Sequence, residues 1–422
     1  MGDNVEVTHQ SGCSRLCNSI ICAVCVSPIV VIIAVFVLGW NEQRAVCEAR
    51  AIDEGSEKVQ EIGCDSSTAG NEALVLFSCD LSTAGLTPLS APGSDFSQLS
   101  YIGTGLSITA EMYQCVEHSS SSTTKDSVGG GTTTVTTYTY SKEWRSSPVS
   151  SGDFKKKDSS EYRNNCDVDN PSWPTWLPDN GVQYAQSVNV GAFTIDSDYV
   201  AQIPLTATVL ASSTPSGWTR SGNYYESSKG RQGNKNIGNV RVSFKGTDWT
   251  SPTVTVLGEN NGGAISRWVA SDSWGCSDFG LAELRMGTVD KDVFFENLQA
   301  ESNAITAVLR IVGFIVIWVA FSRICGPLEV AADCIPCIGP YIGNFIDGVL
   351  CCISCPPACG CALGVIGIVW VAMRPQLGIP LMIIFLCTCC GSIGYVVYSK
   401  TMKKGGDDSG AGGEMVGNPE EA

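Results

Sequence analysis

IICAVCVSPIVVIIAVFVLGW, residues 20–40, contains no charged side chain. A bilayer's hydrocarbon core takes about 20 apolar residues of helix, so this run is long enough to cross it. It is too long for the hydrophobic stretch of a secretory leader, and no small-x-small cleavage site follows, which predicts an uncleaved anchor. Three more apolar runs, 304–321, 356–373 and 377–398, crowd the last third of the chain. Between residues 41 and 303 the composition turns polar, with 19 basic and 32 acidic side chains. The reading is an α+β membrane protein with four transmembrane helices, one N-terminal and three C-terminal. A large β-rich lumenal domain lies between the first two.

The details of each span set further expectations. Only Arg310 interrupts 304–321, and it lies ~9 Å into the helix, where its stem can reach back to the headgroups as an interfacial anchor. Proline is tolerated at a helix start and costly inside, so Pro356 and Pro357 predict that the third span begins there. Residues 322–355 then form a Cys-rich amphipathic or re-entrant segment. Arg374 and Pro375 make a tight turn into the fourth span. Four spans put both termini on one side, and Lys400, Lys403, Lys404 and Arg323 mark that side as cytosolic. Residues 1–19 are read as one cytosolic tail and 399–422, acidic and glycine-rich, as a disordered second one. Glu6 stands where an N-terminal acylation signal needs Ser or Thr, so myristoylation is not expected.

Composition excludes several functions. A net charge of −16 argues against nucleic acid, whose partners carry a basic footprint. Two histidines, His9 and His118, rule out zincin motifs and most catalytic triads, and no phosphate loop or nucleophile elbow occurs. A non-enzyme without cofactor or metal is expected. The 21 cysteines fall into three groups. Cys13, Cys17, Cys22 and Cys25 straddle the start of the first span and are candidates for S-acylation. Cys334, Cys337 and the cluster from Cys351 to Cys361 lack the polar knuckles of a structural zinc site. Within the spans a cysteine also serves simply as a small apolar packing residue. Cys47, Cys64, Cys79, Cys115, Cys166 and Cys276 belong to the middle domain, where disulfides are allowed but spacing cannot choose the pairing.

Ala45, Val46, Ala49 and Ile52 recur at helical spacing, so the first helix should continue past the membrane to Gly55. Asp290 should cap a helix carrying Val293, Phe294 and Leu298 into the second span. Strands are expected at 74–79, 108–116, 132–144, 240–244 and 253–257, with 166–181 an extended loop. Residues 108–117 and 132–144 should pair as a central hairpin with an exposed tip at 119–131 and Trp144 in the core. Cys115 and His118, an odd spacing apart on a strand, should face opposite ways.

Certain segments resemble the transmembrane protein 43 family, also called LUMA. They are Asn41-Glu42-x-Arg44, then Glu111-Met112-Tyr113-Gln114-x-Val116-Glu117, then Tyr138-x-Tyr140-x-x-Glu143-Trp144-Arg145. Asn170-Pro171-Ser172, Gly238-Asn239-Val240-Arg241-Val242-Ser243-Phe244 and Arg374-Pro375 complete the set, in the same order and with the same one-plus-three layout of spans. The resemblance implies an integral protein of the endoplasmic reticulum and nuclear inner membrane. Its large domain would face the lumen or perinuclear space, and it would self-associate and organise membrane protein complexes. Other reticulum and nuclear-envelope proteins, in animals lamins and emerin, would be its partners besides the lipid bilayer. The chain departs from the familiar members in its cysteine-rich spans and acidic tail. Gly360, Gly364 and Gly367 sit at the small-residue spacings that let helices approach closely, for self-association or for packing within the chain. The competing reading is an oligomeric channel or transporter. A cell-surface receptor fits less well, because Asn170 is followed by Pro171 and no glycosylation sequon stands in the large domain.

Overall fold

The computed structural model describes residues 2–65, 70–126, 130–232, 236–271, 275–276, 279–333, 339–380, 382–383 and 386. Its longest helix, α1 (Gly12–Lys58), passes through a π turn at Cys22–Val26 and runs without a break from before the first apolar run into the middle domain. α2 (Lys291–Ile324) makes the return journey. Asp290 is its N-cap residue, although its side chain makes no capping bond. Phe294 and Leu298 are buried as expected, while Val293 faces out.

The strands form two large sheets and a two-stranded ribbon, Trp268–Val269 with Gly280–Leu281. Val5–Gln10 (β1), Ala73–Ser82 (β2), Gly105–Lys125 (β3), Thr132–Arg145 (β4), Val240–Thr247 (β5) and Thr253–Asn261 (β6) are the strands that matter most. The first sheet has eight antiparallel strands: six follow the order β1-β4-β3-β5, Tyr224–Ser227, Thr219–Ser221, while Gly181–Tyr184 also pairs with β3 and Leu205–Val209 with β5. The second, of seven strands, centres on β6 beside β2. Every expected strand is present, and each runs longer than its apolar alternation shows. In β5, Val240, Val242 and Phe244 are buried while Arg241, Ser243 and Lys245 are not, the period-two signature of a one-sided sheet. Phe96 fills the eight-stranded sheet's core, with the rings of Trp218, Tyr225 and Phe244 at 4.8, 5.2 and 5.2 Å. Phe77 and Phe193, 4.5 Å apart, anchor the other. A third cluster joins the helices to the domain: Ile52 of α1 and Phe294, Phe295 and Leu298 of α2 pack under Leu74 and Leu257.

Three expectations change. Pro356 and Pro357 lie inside a helix, α4 (Gly339–Met373), rather than at its start. Its candidate span is Gly348–Met373, so the second half of 322–355 is continuous helix and not a separate re-entrant piece. Interior prolines persist in membrane helices where neighbouring polar side chains serve the backbone. The carbonyls that lose their helical donors are those of Cys352 and Ile353, and one residue earlier α2 braces the helix: Trp318 donates its indole N–H to the Cys351 carbonyl at 2.9 Å, and the Ser322 and Ser354 hydroxyls pair at 2.7 Å. Second, the hairpin does not open at Ser119. β3 runs to Lys125 and β4 starts at Thr132, with hydroxyl pairs at Ser121–Thr136 and Thr123–Thr134. Third, residues 1–19 are partly folded: β1 extends the sheet beside β4, with Val7 opposite Val135. Lys125 and Arg15 both reach the buried Asp333 at the end of α3 (Gly326–Asp333), which clasps the hairpin end to both segments. Of the four expected spans, three are helices long and apolar enough to cross a membrane among the described residues. Most of 377–398, and all of 399–422, lies outside the described residues.

Candidate functional site: a polar lock where the domain meets the helices

α1 and α2 pack closely enough that a Cβ on Gly313 would lie 2.5 Å from Leu38. That approach sets Glu42 against Arg310. The Glu42 side chain is fully buried, and its two oxygens take the Arg310 Nε and Nη2 donors at 2.6 Å each. A third donor comes from α4, the Trp370 indole N–H at 2.8 Å. Arg310 therefore does not stretch back to the headgroups as an isolated anchor. A buried carboxylate without a partner is far costlier than a shared charge, so the guanidinium turns inward. Glu42, on α1, thus accepts from both α2 and α4. It ties three helices together.

The neighbouring motif residues extend the lock. Asn41 donates its side-chain amide to the Thr306 carbonyl at 3.4 Å. Arg44 pairs with Glu48 and donates to the Thr306 hydroxyl at 3.2 Å, and Ser302 donates to Glu48 at 2.9 Å. One turn higher, Arg50 donates to the Met373 carbonyl at the end of α4, and Cys47 is disulfide-bonded to Cys276. The Arg374 backbone N–H bonds the Trp370 carbonyl at 2.7 Å, and Pro375 opens the next helical stretch.

The remaining motif residues meet on the eight-stranded sheet. Arg241 lies between the rings of Trp144 and Tyr224, 4.5 Å from each, and pairs with Glu111 at 2.6 Å. Tyr113 stands directly opposite Trp144, with the rings 5.1 Å apart. Trp144 is half-buried under that guanidinium, not a core residue, because Arg241 and Tyr113 share its outward face. Gln114, fully buried, donates to the Ser147 carbonyl and accepts from the Val149 N–H. Glu117 accepts from the Tyr140 hydroxyl at 2.8 Å, and burial together with that carboxylate pushes the phenol well above its usual range. Glu143 takes hydrogen bonds from Ser141 and His118 and an ion pair from Arg145, which together hold its carboxyl below the usual value. Pro171 packs beside Gly238, and Asn170 bonds both backbone groups of Cys115.

The six cysteines of the middle domain pair as Cys47–Cys276, Cys64–Cys79 and Cys115–Cys166. Cys115 is buried in its disulfide while His118 is exposed, on opposite faces as expected. Cys13, Cys17 and Cys25 are exposed free thiols and Cys22 is half-buried. Among the described residues no group of His, Cys, Asp and Glu is arranged to hold a metal ion.

A β-rich domain carried on two continuous helices, locked to a third, defines a membrane-anchored α+β protein. The chain matches the family Transmembrane protein 43 over residues 112–375 and belongs to it. No curated protein and no solved structure matches it.

Proposed function

We propose that the chain is a non-enzymatic, multi-pass endomembrane protein that self-associates and organises membrane protein complexes in the endoplasmic reticulum and nuclear inner membrane. Family membership supports this reading, and one structural observation carries the self-association. A Cβ placed on Gly360 or Gly364 would meet nothing within 4 Å, whereas one on Gly367 meets Met382. Gly360 and Gly364 thus leave a flat strip of α4 free among the described residues, suited to the close approach of a second helix. Replacing both with Ile should shift the detergent-solubilised complex to smaller mass while the domain stays folded. A parent protein that runs as a monomer, in mild detergent and in crosslinked membranes alike, would remove the self-association.

The domain's orientation is proposed as lumenal, supported by its three disulfides, which persist in oxidising compartments. S-acylation of Cys13, Cys17, Cys22 and Cys25 would then fall on the cytosolic edge. This orientation requires the clasp to open in a bilayer, because a polar ribbon beside the spans would leave edge groups unpaired in hydrocarbon. A Val7→Cys, Val135→Cys pair should crosslink in detergent and not in sealed membranes. Crosslinking in sealed membranes overturns the orientation.

A further inference from the structure

The two long helices do not close fully on each other just above the membrane edge. Arg44, Glu48, Arg267, Glu283, Glu301 and Ile305 are among the residues that line a cleft of about 370 Å³ there. Ile305 is the second residue of the second apolar run, and Arg44 stands about 6 Å of helix beyond Trp40. Headgroups occupy a layer of roughly 5–7 Å on each side of the hydrocarbon, so the cleft begins at their depth.

The lining carries both signs of charge. Glu48 is held by Arg44 and Ser302, and Glu301 by Arg285 at 2.6 Å. Glu283 lies 3.4 Å from Arg285, and burial pushes its carboxyl up in spite of that neighbour. With Arg285 behind Glu283 and Glu301, three acids meet three cations, so the cleft suits a ligand that carries one charge of each sign. Arg44 keeps a buried Nε with no hydrogen-bond partner. The acids do not converge as metal ligands, so an ammonium suits them better than a bare cation. Ala51, Ile52 and Leu281 supply an aliphatic wall.

We propose that this cleft binds the zwitterionic headgroup of a phospholipid, with its phosphate at Arg44 and Arg267 and its ammonium at Glu283 and Glu301. The site depends on the membrane reading but not on self-association, so its failure would leave the mass of the complex unchanged. The test uses full-length protein in detergent, followed by thermal unfolding during titration. The probes are a short-chain phosphatidylethanolamine, a phosphatidylglycerol of equal chain length, and inorganic phosphate. The amine lipid should bind about tenfold tighter than the glycerol lipid, with phosphate weaker than either. Glu283→Gln combined with Glu301→Gln should erase the preference for the amine, and Arg267→Gln should weaken both lipids. Equal affinity for the two lipids, no binding of either, or a preference that survives the double substitution overturns the proposal. Phosphate binding as tightly as lipid overturns it too, by assigning the site to a free anion. Selectivity of the parent protein decides the question even if a variant fails to fold.

Discussion

The middle domain and the helix bundle are held together by opposite means. In the domain, cohesion comes from apolar burial around Phe96 and Phe77, reinforced by three disulfides. In the bundle, the outward faces are apolar and every disulfide-free cysteine described lies in α1, α4 or the joint after α2. Its fixed points are polar: Glu42 with Arg310 and Trp370, Ser322 with Ser354, Trp318 with the Cys351 carbonyl. The difference follows from the solvent. Water drives apolar groups together, whereas lipid is as apolar as leucine and leaves packing and hydrogen bonds to set helix positions.

That contrast can be broken first with matched truncations. Phe96→Ala should cost the domain about 3–5 kcal/mol, read as lost protease resistance of the folded domain. Leu38→Ala, equally buried between α1 and α2, should cost distinctly less than the ~2–5 kcal/mol of a water-soluble core, because its transfer term is absent in lipid. Equal losses at the two sites would show that the bundle is held as a soluble core is.

Cysteine replacement sharpens the same comparison. Changing Cys115 and Cys166 together to Ser should remove about 2–4 kcal/mol, seen as a lower midpoint in denaturant under non-reducing conditions. Changing Cys351 and Cys352 to Ser should leave that midpoint unmoved. The smallest effect belongs to Ser354→Ala, about 0.6 kcal/mol, which a thermal melt in detergent should register as a slight shift.

How far the sequence reveals these features varies with the range of the signal. Strands such as Val240–Thr247 declare themselves because alternate residues repeat locally, and the spans because a charge-free run is its own evidence. The strand at Val5–Gln10 alternates too, with Val5 and Val7, but its partner strand lies more than 120 residues away. The pairing of Arg310 with Glu42 is equally non-local, and from the second span alone Arg310 reads as a solitary charge near an interface. Two opposite charges at the same depth of adjacent spans are the signal that links them. The prolines of α4 mislead because the rule against interior proline comes from helices in water, where no neighbouring helix serves the backbone. Among the family residues, Glu111, Tyr113, Trp144 and Arg241 carry no local hint that they form one stack, since β5 joins β3 only through the fold. The cleft residues Arg267, Glu283 and Glu301 have no pattern in sequence at all.

The central claim is that Glu42 and Arg310 lock the domain-bearing helices, so the charge swap is its most direct test. Glu42→Arg and Arg310→Glu are made singly and together, and the fraction of protein that resists protease in mild detergent is measured. Each single reversal leaves like charges in a buried position and should cost about 3 kcal/mol or more, toward the lower end because Arg310 is 37% exposed. The double swap restores opposite charges and should recover most of the resistance, a coupling that distant, independent sites do not show. Single variants as resistant as the parent, or a double variant no better than the worse single one, would contradict the account.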